Sequence, residues 1–454
     1  MRTKNTVQIC VLLLWIFAAS PTGLLAASRP NVLFLLSDDQ RADTIAAMGN
    51  RTIKTPNLDT LVKTGTTFTR AYCMGGTVGA ICAPSRAMIM TGRTLWRAPL
   101  GLADVPIMPE VFRQSGYATC GIGKWHNERK SFARGFSTGG PVFFGGMGDH
   151  FSLPISDFDP TGKFDPKLTH KADRYSSVLF ADAAIDFLHR RKADEPFFIY
   201  VAFTAPHDPR TPPENYAKMY DPKKMPLPRN FLPEHPFDNG ELKIRDEMLA
   251  PHPRTPEEVR RHLADYYGMI SHLDEQVGRV LAALKESGAA KDTIIVYTSD
   301  HGLAVGSHGL MGKQNLYEHS MRSPLIFAGP GIPHGKKSDA LCHLLDIFPT
   351  LADLADVKLP AGVDGQSLRP VLTGGQTQAR EALLLGYRDV QRAVITDRWK
   401  LISYPKLQKL QLFDLRKDPA EMHNLADDPK QSTQVQLLKT KMAALQQSAE
   451  DPSR

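Results

Sequence analysis

Three stretches of the chain, residues 31–36, 197–203 and 293–298, run apolar without polar alternation. A strand covered on both faces has no wet side to show, so this pattern predicts strands of a parallel sheet. Ahead of the third stretch, apolar residues return at helical spacing: Val259, Leu263, Tyr267, Ile270, Leu273, Val277, Leu281 and Leu284. Gly288 is placed to stop that helix. A helix feeding directly into a strand is the rhythm of an α/β sandwich. Two segments break it. Residues 204–256 hold twelve prolines and little periodicity, too long for an ordinary connection, and read as a loop-rich insertion beside a site. After about residue 375 short β-like runs succeed one another (382–387, 393–396, 400–404, 410–415), which predicts a small antiparallel C-terminal subdomain with a terminal helix. No internal repeat or low-complexity block is visible.

The residues just past each apolar run carry the chemistry. Asp38 and Asp39 come after the first, Pro206-His207-Asp208 after the second, and Asp300-His301 after the third. Ligands of open α/β sheets bind beyond the carboxyl ends of the strands. One strand-end Asp caps a helix as readily as it holds a ligand. Carboxylates and histidines after three strands far apart in sequence point to a site.

Composition narrows the class. The 454 residues are 42% hydrophobic and 23% charged, ordinary for a globular chain and unlike a disordered, coiled-coil or polytopic membrane protein. The net charge of +7 is spread without a long Lys/Arg run, which disfavours nucleic acid and leaves room for small anions. Arg2 and Lys4 precede an apolar stretch over 9–19, and Leu25-Ala26-Ala27 offers a cleavage point. Residues 1–27 are therefore expected to be a secretory signal peptide, too short for stable membrane insertion. Its removal takes away Arg2 and Lys4 and no acid, so +7 becomes +5. The expected location is the periplasm or the medium. Cys73, Cys82, Cys120 and Cys342 remain, too few for a disulfide framework, and their pairing cannot be read from the sequence.

The most specific stretch is Cys82-Ala83-Pro84-Ser85-Arg86, followed by Thr91-Gly92-Arg93. Pro84 suits the start of a helix and Gly92 its end. Cys82 would then lie at a helix N-terminus, where free N–H groups favour an anion, with the Arg86 charge one turn on. Cys-x-Pro-Ser-Arg with Thr-Gly-Arg resembles the signature of type I sulfatases, whose cysteine is oxidised to formylglycine. The resemblance covers nearly the whole mature chain. It takes in Arg29-Pro30-Asn31-Val32 leading to Asp38-Asp39, Gly123-Lys124-Trp125-His126, Pro206-His207, Ser299-Asp300-His301-Gly302, Gly312-Lys313, Leu412-Phe413-Asp414-Leu415 and Asp418-Pro419-Ala420-Glu421. It implies an alkaline-phosphatase-like α/β sandwich with a mostly parallel central sheet over 28–375 and a C-terminal α+β subdomain over 376–454.

The resemblance also implies roles. Asp38, Asp39, Asp300 and position 82 would hold one Ca²⁺, a cation suited to hard oxygen ligands. His301 stands where many relatives have Asn, as in a subset similar to iduronate sulfatase; it is taken as a further ligand, the alternative role being a hydrogen bond to the substrate oxygen next to the metal. The formylglycine made from Cys82 by a maturation enzyme would give, as its hydrate, the attacking oxygen, with Arg86 beside it. Lys124 and Lys313 would clamp sulfate oxygens. His126 would serve the diol and His207 the leaving alcohol, roles that could be exchanged. Candidate substrate contacts are Asp149 and His150, at the end of the Gly/Phe stretch over 143–150, and Arg245 and His252 in the insertion. The expected reaction is release of sulfate from a sulfated saccharide. Phosphonate monoester or phosphodiester hydrolysis, a choline-sulfatase-like activity, and an inactive glycan-binding relative are the alternatives. The oligomeric state is not legible.

Overall fold

The computed structural model describes residues 29–453, so the expected signal peptide lies outside the described residues. Its main sheet runs, in spatial order, Lys336–Ser338, Gly65–Tyr72, Arg322–Ala328, Thr293–Ser299, Asn31–Ser37, Phe197–Ala202, Ala118–Lys124 and Thr138–Phe143, with Cys342–His343 also pairing to Gly65–Tyr72. The central pairings are parallel, and Arg322–Ala328 runs antiparallel between its two neighbours. The three uninterrupted apolar runs are adjacent central strands, buried throughout apart from partly buried Ile295. Alternate side chains serve opposite faces. Leu33, Leu35, Ile199 and Val201 pack with Leu273, Val277 and Val280 of the helix Pro256–Glu286 and with Phe180 and Ala184 of Ser176–Arg190. Phe34, Leu36, Phe198 and Tyr200 pack on the other face with Met88 and Ile89. The long helix begins where Thr255 accepts a hydrogen bond from the Glu258 amide at 3.2 Å, with Pro256 in its first turn.

The tail forms the expected antiparallel strands, Ala382–Tyr387, Gln391–Thr396, Trp399–Tyr404 and Lys409–Asp414, followed by the helix Ser432–Ser448. A fifth strand, Gly75–Gly76, comes from just upstream of Cys82 and pairs in parallel with Ala382–Tyr387. Leu383, Val394 and Ile402 share one core with Met88 and Phe348. The tail sheet is thus stitched to the segment carrying the motif cysteine, which no local pattern announces. Cys73, Cys82, Cys120 and Cys342 are all free and buried.

Candidate active site

Strand register builds the site. Leu36 lies opposite both Ala202 and Thr298, and Gly123 opposite Ala202, so four chains leave the sheet at one edge. The Asp38 amide donates to the Ala205 carbonyl at 3.1 Å, and the Asp39 amide to Asp300 Oδ1 at 3.1 Å. The motif helix spans Cys82–Thr91, starting at Cys82 itself rather than at Pro84, and Gly92 (φ 63°) closes it. Arg86, 1% exposed, donates from Nε to Asp300 Oδ2 at 3.1 Å and from Nη1 to the Lys124 carbonyl at 2.6 Å.

Around Cys82 Sγ stand His301 Nε2 at 3.2 Å, Lys313 Nζ at 3.3 Å and Asp39 Oδ1 at 3.6 Å. Lys313 Nζ also donates to both Asp39 oxygens at 2.9 Å and to His207 Nε2 at 3.0 Å, while Lys124 Nζ lies 2.5 Å from Asp38 Oδ2. Residues from 38 to 313 thus meet in one buried cluster. Asp39 (φ 66°) and His126 (φ 59°) hold left-handed backbone conformations, which cost about 1–3 kcal/mol each in a non-glycine residue.

Burial sets the protonation states. It is the largest influence on Asp39, whose pKa rises to about 6 despite Lys313 and His301. Burial also opposes ionisation of Asp300, yet His301, Arg86 and Lys124 overcome it and hold that carboxyl far below its usual range. Desolvation raises the Cys82 thiol well above normal, which keeps the unmodified side chain a poor nucleophile. Burial, then Lys124 and Arg86, push His126 down to about 2; burial, then Lys313 and Lys124, push His207 well below the ordinary histidine value. Both imidazoles are neutral. His207 Nδ1 lies 2.8 Å from the Asp208 carbonyl, so it carries the proton and leaves Nε2 to accept from Lys313.

The donor set fits a divalent cation. Asp39, Cys82, Asp300 and His301 offer ligand atoms within 4.8 Å of one another, and so do Asp38, Asp39, Cys82 and His207. Asp38 Oδ1 is buried without a hydrogen bond; Arg86 Nη2, at 3.5 Å, is within ion-pair range but misaligned. His301 Nδ1 lies 2.9 Å from the Gly302 carbonyl and donates to it, which leaves Nε2, facing Cys82, Asp39 and Asp300, as the nitrogen that would give up its proton to hold a cation.

A cavity of about 270 Å³ opens above the cluster, lined by Cys82, His126, His207 and Lys313; Lys124 and Arg86 lie behind it. Of the candidate substrate residues only Arg245 lines it, paired with Asp208 and, at 2.5 Å, with Asp246. The expected pocket wall of Asp149 and His150 is not formed. Asp149 is exposed and caps the Phe151 amide at 3.0 Å. His150 is buried beneath the site, where Nε2 donates to the His207 carbonyl at 2.9 Å and Nδ1 meets Ser176 and Thr204 at 3.1 Å. Instead the Gly/Phe stretch presents Gly146 and Met147. A Cβ at Gly146 would stand 2.9 Å from His126 Nε2. His252 is exposed and outside the cavity. Sequence reasoning missed Glu241, Asp246, Gln314 and Arg388 in the wall, because no motif joins the insertion to the tail.

A family model described as Sulfatase matches residues 30–357, and one described as N-sulphoglucosamine sulphohydrolase, C-terminal, matches residues 306–448. The chain is 29% identical to an N-acetylglucosamine-6-O-sulfatase of Bacteroides thetaiotaomicron, over 87% of this chain and 82% of that one. It is 30% identical to an arylsulfatase of Clostridium perfringens, over 90% and 93%. A protein solved in complex with its substrate D-glucosamine-2-N,6-O-disulfate superposes with a TM-score of 0.80 at 25% identity, covering 93% of this chain and 99% of that one.

Proposed function

The chain belongs to the sulfatase family, and we propose that this sulfuric ester hydrolase releases inorganic sulfate from a sulfated carbohydrate, taken one terminal sugar at a time. The observation that carries the reading is the cavity of about 270 Å³, closed on one side by the insertion and floored by Cys82, Lys313, His126 and His207. It lies just below the roughly 300–1,000 Å³ of common small-molecule sites and suits one ring rather than a polymer groove. The matched glucosamine-sulfate proteins support the sugar class. An exported enzyme, as residues 1–27 would make it, meets polysaccharides too large to enter a cell.

Formylglycine at position 82 would supply, as its hydrate, the oxygen that attacks sulfur. A Ca²⁺ held by Asp38, Asp39, Asp300 and His301 would supply a fixed positive charge beside that oxygen and the sulfate. This chain's own groups do the rest. Arg86 fixes Asp300 and the start of the motif helix through its hydrogen bonds to Asp300 and Lys124. Lys313 is the cavity-facing ammonium for a sulfate oxygen, and its contact with His207 Nε2 places a proton next to the leaving alcohol. Lys124 pairs with Asp38 from behind and adds positive potential. His126 also lines the cavity and is held neutral by burial and by Lys124 and Arg86, so its ring can take part in hydrogen bonds to the hydrate at position 82.

Matured enzyme should release sulfate from the terminal residue of a sulfated oligosaccharide series. Equal release from internal residues, activity on choline sulfate alone, or a preference for a phosphonate monoester or phosphodiester over the sulfate ester of one and the same phenol would each defeat the reading. Peptide mass spectrometry should show sulfur and two hydrogens of Cys82 replaced by one oxygen. Full activity with cysteine unmodified would refute that step.

A further inference from the structure

Two arginines line the active-site cavity, and they differ in what holds them. Arg245 is paired with two carboxylates: both terminal nitrogens contact Asp208, and Nη2 also reaches Asp246. Arg388 is not. Its Nη1 donates to Glu241 Oε1 at 3.0 Å and the Tyr387 hydroxyl lies beside its guanidinium, but among the described residues no second carboxylate pairs with it. Glu241 is 5% exposed and also accepts from the Tyr387 hydroxyl at 3.3 Å, whereas the Arg388 side chain is 46% exposed. The pair therefore buries its negative end and turns its positive end to the cavity.

The backbone under Arg388 is stiff and strained. The residue opens the turn after Ala382–Tyr387 with φ 46°, a conformation glycine or asparagine takes at lower cost. Its amide donates to the Gly76 carbonyl at 2.8 Å, and its carbonyl accepts from Arg392 Nη1 at 2.6 Å. Arg392 is buried against Asp451, with Nη2 to Oδ1 at 2.8 Å. A planar fork on such a base matches the two oxygens of a carboxylate or sulfate better than a single hydroxyl.

From this geometry we infer that Arg388 is a specificity-determining residue that binds a second anionic group of the substrate, so that the preferred sugar ester carries another sulfate or a carboxylate. The inference rests on the sugar-sulfate reading above. The test compares wild type, Arg388→Gln and Arg388→Lys on four probes. These are N-acetylglucosamine 6-sulfate, D-glucosamine-2-N,6-O-disulfate, a 6-sulfated N-acetylglucosamine linked to a uronate, and 4-nitrophenyl sulfate. Arg388→Gln should raise KM on at least one dianionic sugar by about 10- to 100-fold, the range of a charge-assisted hydrogen bond, with kcat held within threefold. On the two monoanionic probes kcat/KM should stay within about threefold, and Arg388→Lys should recover part of the lost affinity. Which dianionic sugar responds tells sulfate from carboxylate. Equal losses on all probes, or no loss on any, overturn the inference while leaving the sugar reading intact. Wild type that cleaves 4-nitrophenyl sulfate but no sugar overturns both.

Discussion

Glu247 lies in the proline-rich insertion, yet its carboxylate closes on the loop that carries Lys313. Oε2 accepts from the Met311 amide and from Arg254 Nη2, and Oε1 from the Gly312 amide, each at 2.8 Å. Glu247 is 3% exposed and Arg254 1% exposed. Glu247→Gln keeps the shape but replaces one acceptor oxygen by a donor and removes the charge. One backbone N–H then loses its partner, at about 1–3 kcal/mol. Arg254 keeps carbonyl partners at Glu247 and Pro251, which softens the roughly 3–5 kcal/mol expected for a stranded buried charge. We expect a net loss of about 3 kcal/mol. The same change loosens the residues directly before Lys313, and a displacement near 1 Å costs about 10²-fold in rate. Urea unfolding followed by tryptophan fluorescence, together with kcat and KM on 4-nitrophenyl sulfate, reads both effects. An unchanged midpoint with unchanged kcat would show that the insertion only covers the core and does not position the lysine.

Asp39→Ala and Asp300→Ala should each abolish activity and lower bound calcium measured by elemental analysis of the purified protein; full calcium in an inactive variant would remove these residues from the ligand set. His207→Ala should cost about 10²–10⁴-fold on a sugar sulfate and far less on 4-nitrophenyl sulfate, whose leaving group needs no proton, and equal losses would move proton delivery elsewhere. Gly146→Ala places a methyl 2.9 Å from His126 Nε2 and should lower kcat/KM at least tenfold while leaving the unfolding midpoint in place. Burial opposes ionisation of Asp451, but hydrogen bonds from Arg392, Ser453 and Gln446 hold its pKa down to about 2. A carboxyl depressed on folding stabilises above its unfolded pKa near 4, and that stability is lost as pH falls towards 2. Wild type should therefore exceed Asp451→Asn by about 2 kcal/mol above pH 4, with the gap closing near pH 2, whereas a gap that persists at pH 2 contradicts the assignment.

The sequence alone determined the strands whose polarity is one-dimensional. Residues 31–36, 197–203 and 293–298 have no wet face, and the observed strands Asn31–Ser37, Phe197–Ala202 and Thr293–Ser299 differ from them by one residue at an end. It also singled out Asp38, Asp39, Cys82, Asp300 and His301, because strand ends and a helix start place such groups by local rules. Tertiary structure decided what depends on register and on segments far apart. Level register across the central strands brings Asp39, Asp300 and Lys313 to within hydrogen-bonding range of one another or of Cys82. His150 and Asp149 are neighbours in the chain, yet one is buried under His207 and the other faces water, because the loop turns between them. Arg388 reaches the cavity only because Gly75–Gly76, just ahead of Cys82, joins the tail sheet. A side chain's polarity is written in the sequence, but which partners surround it is set by pairing between distant strands, and that pairing leaves no mark within either strand.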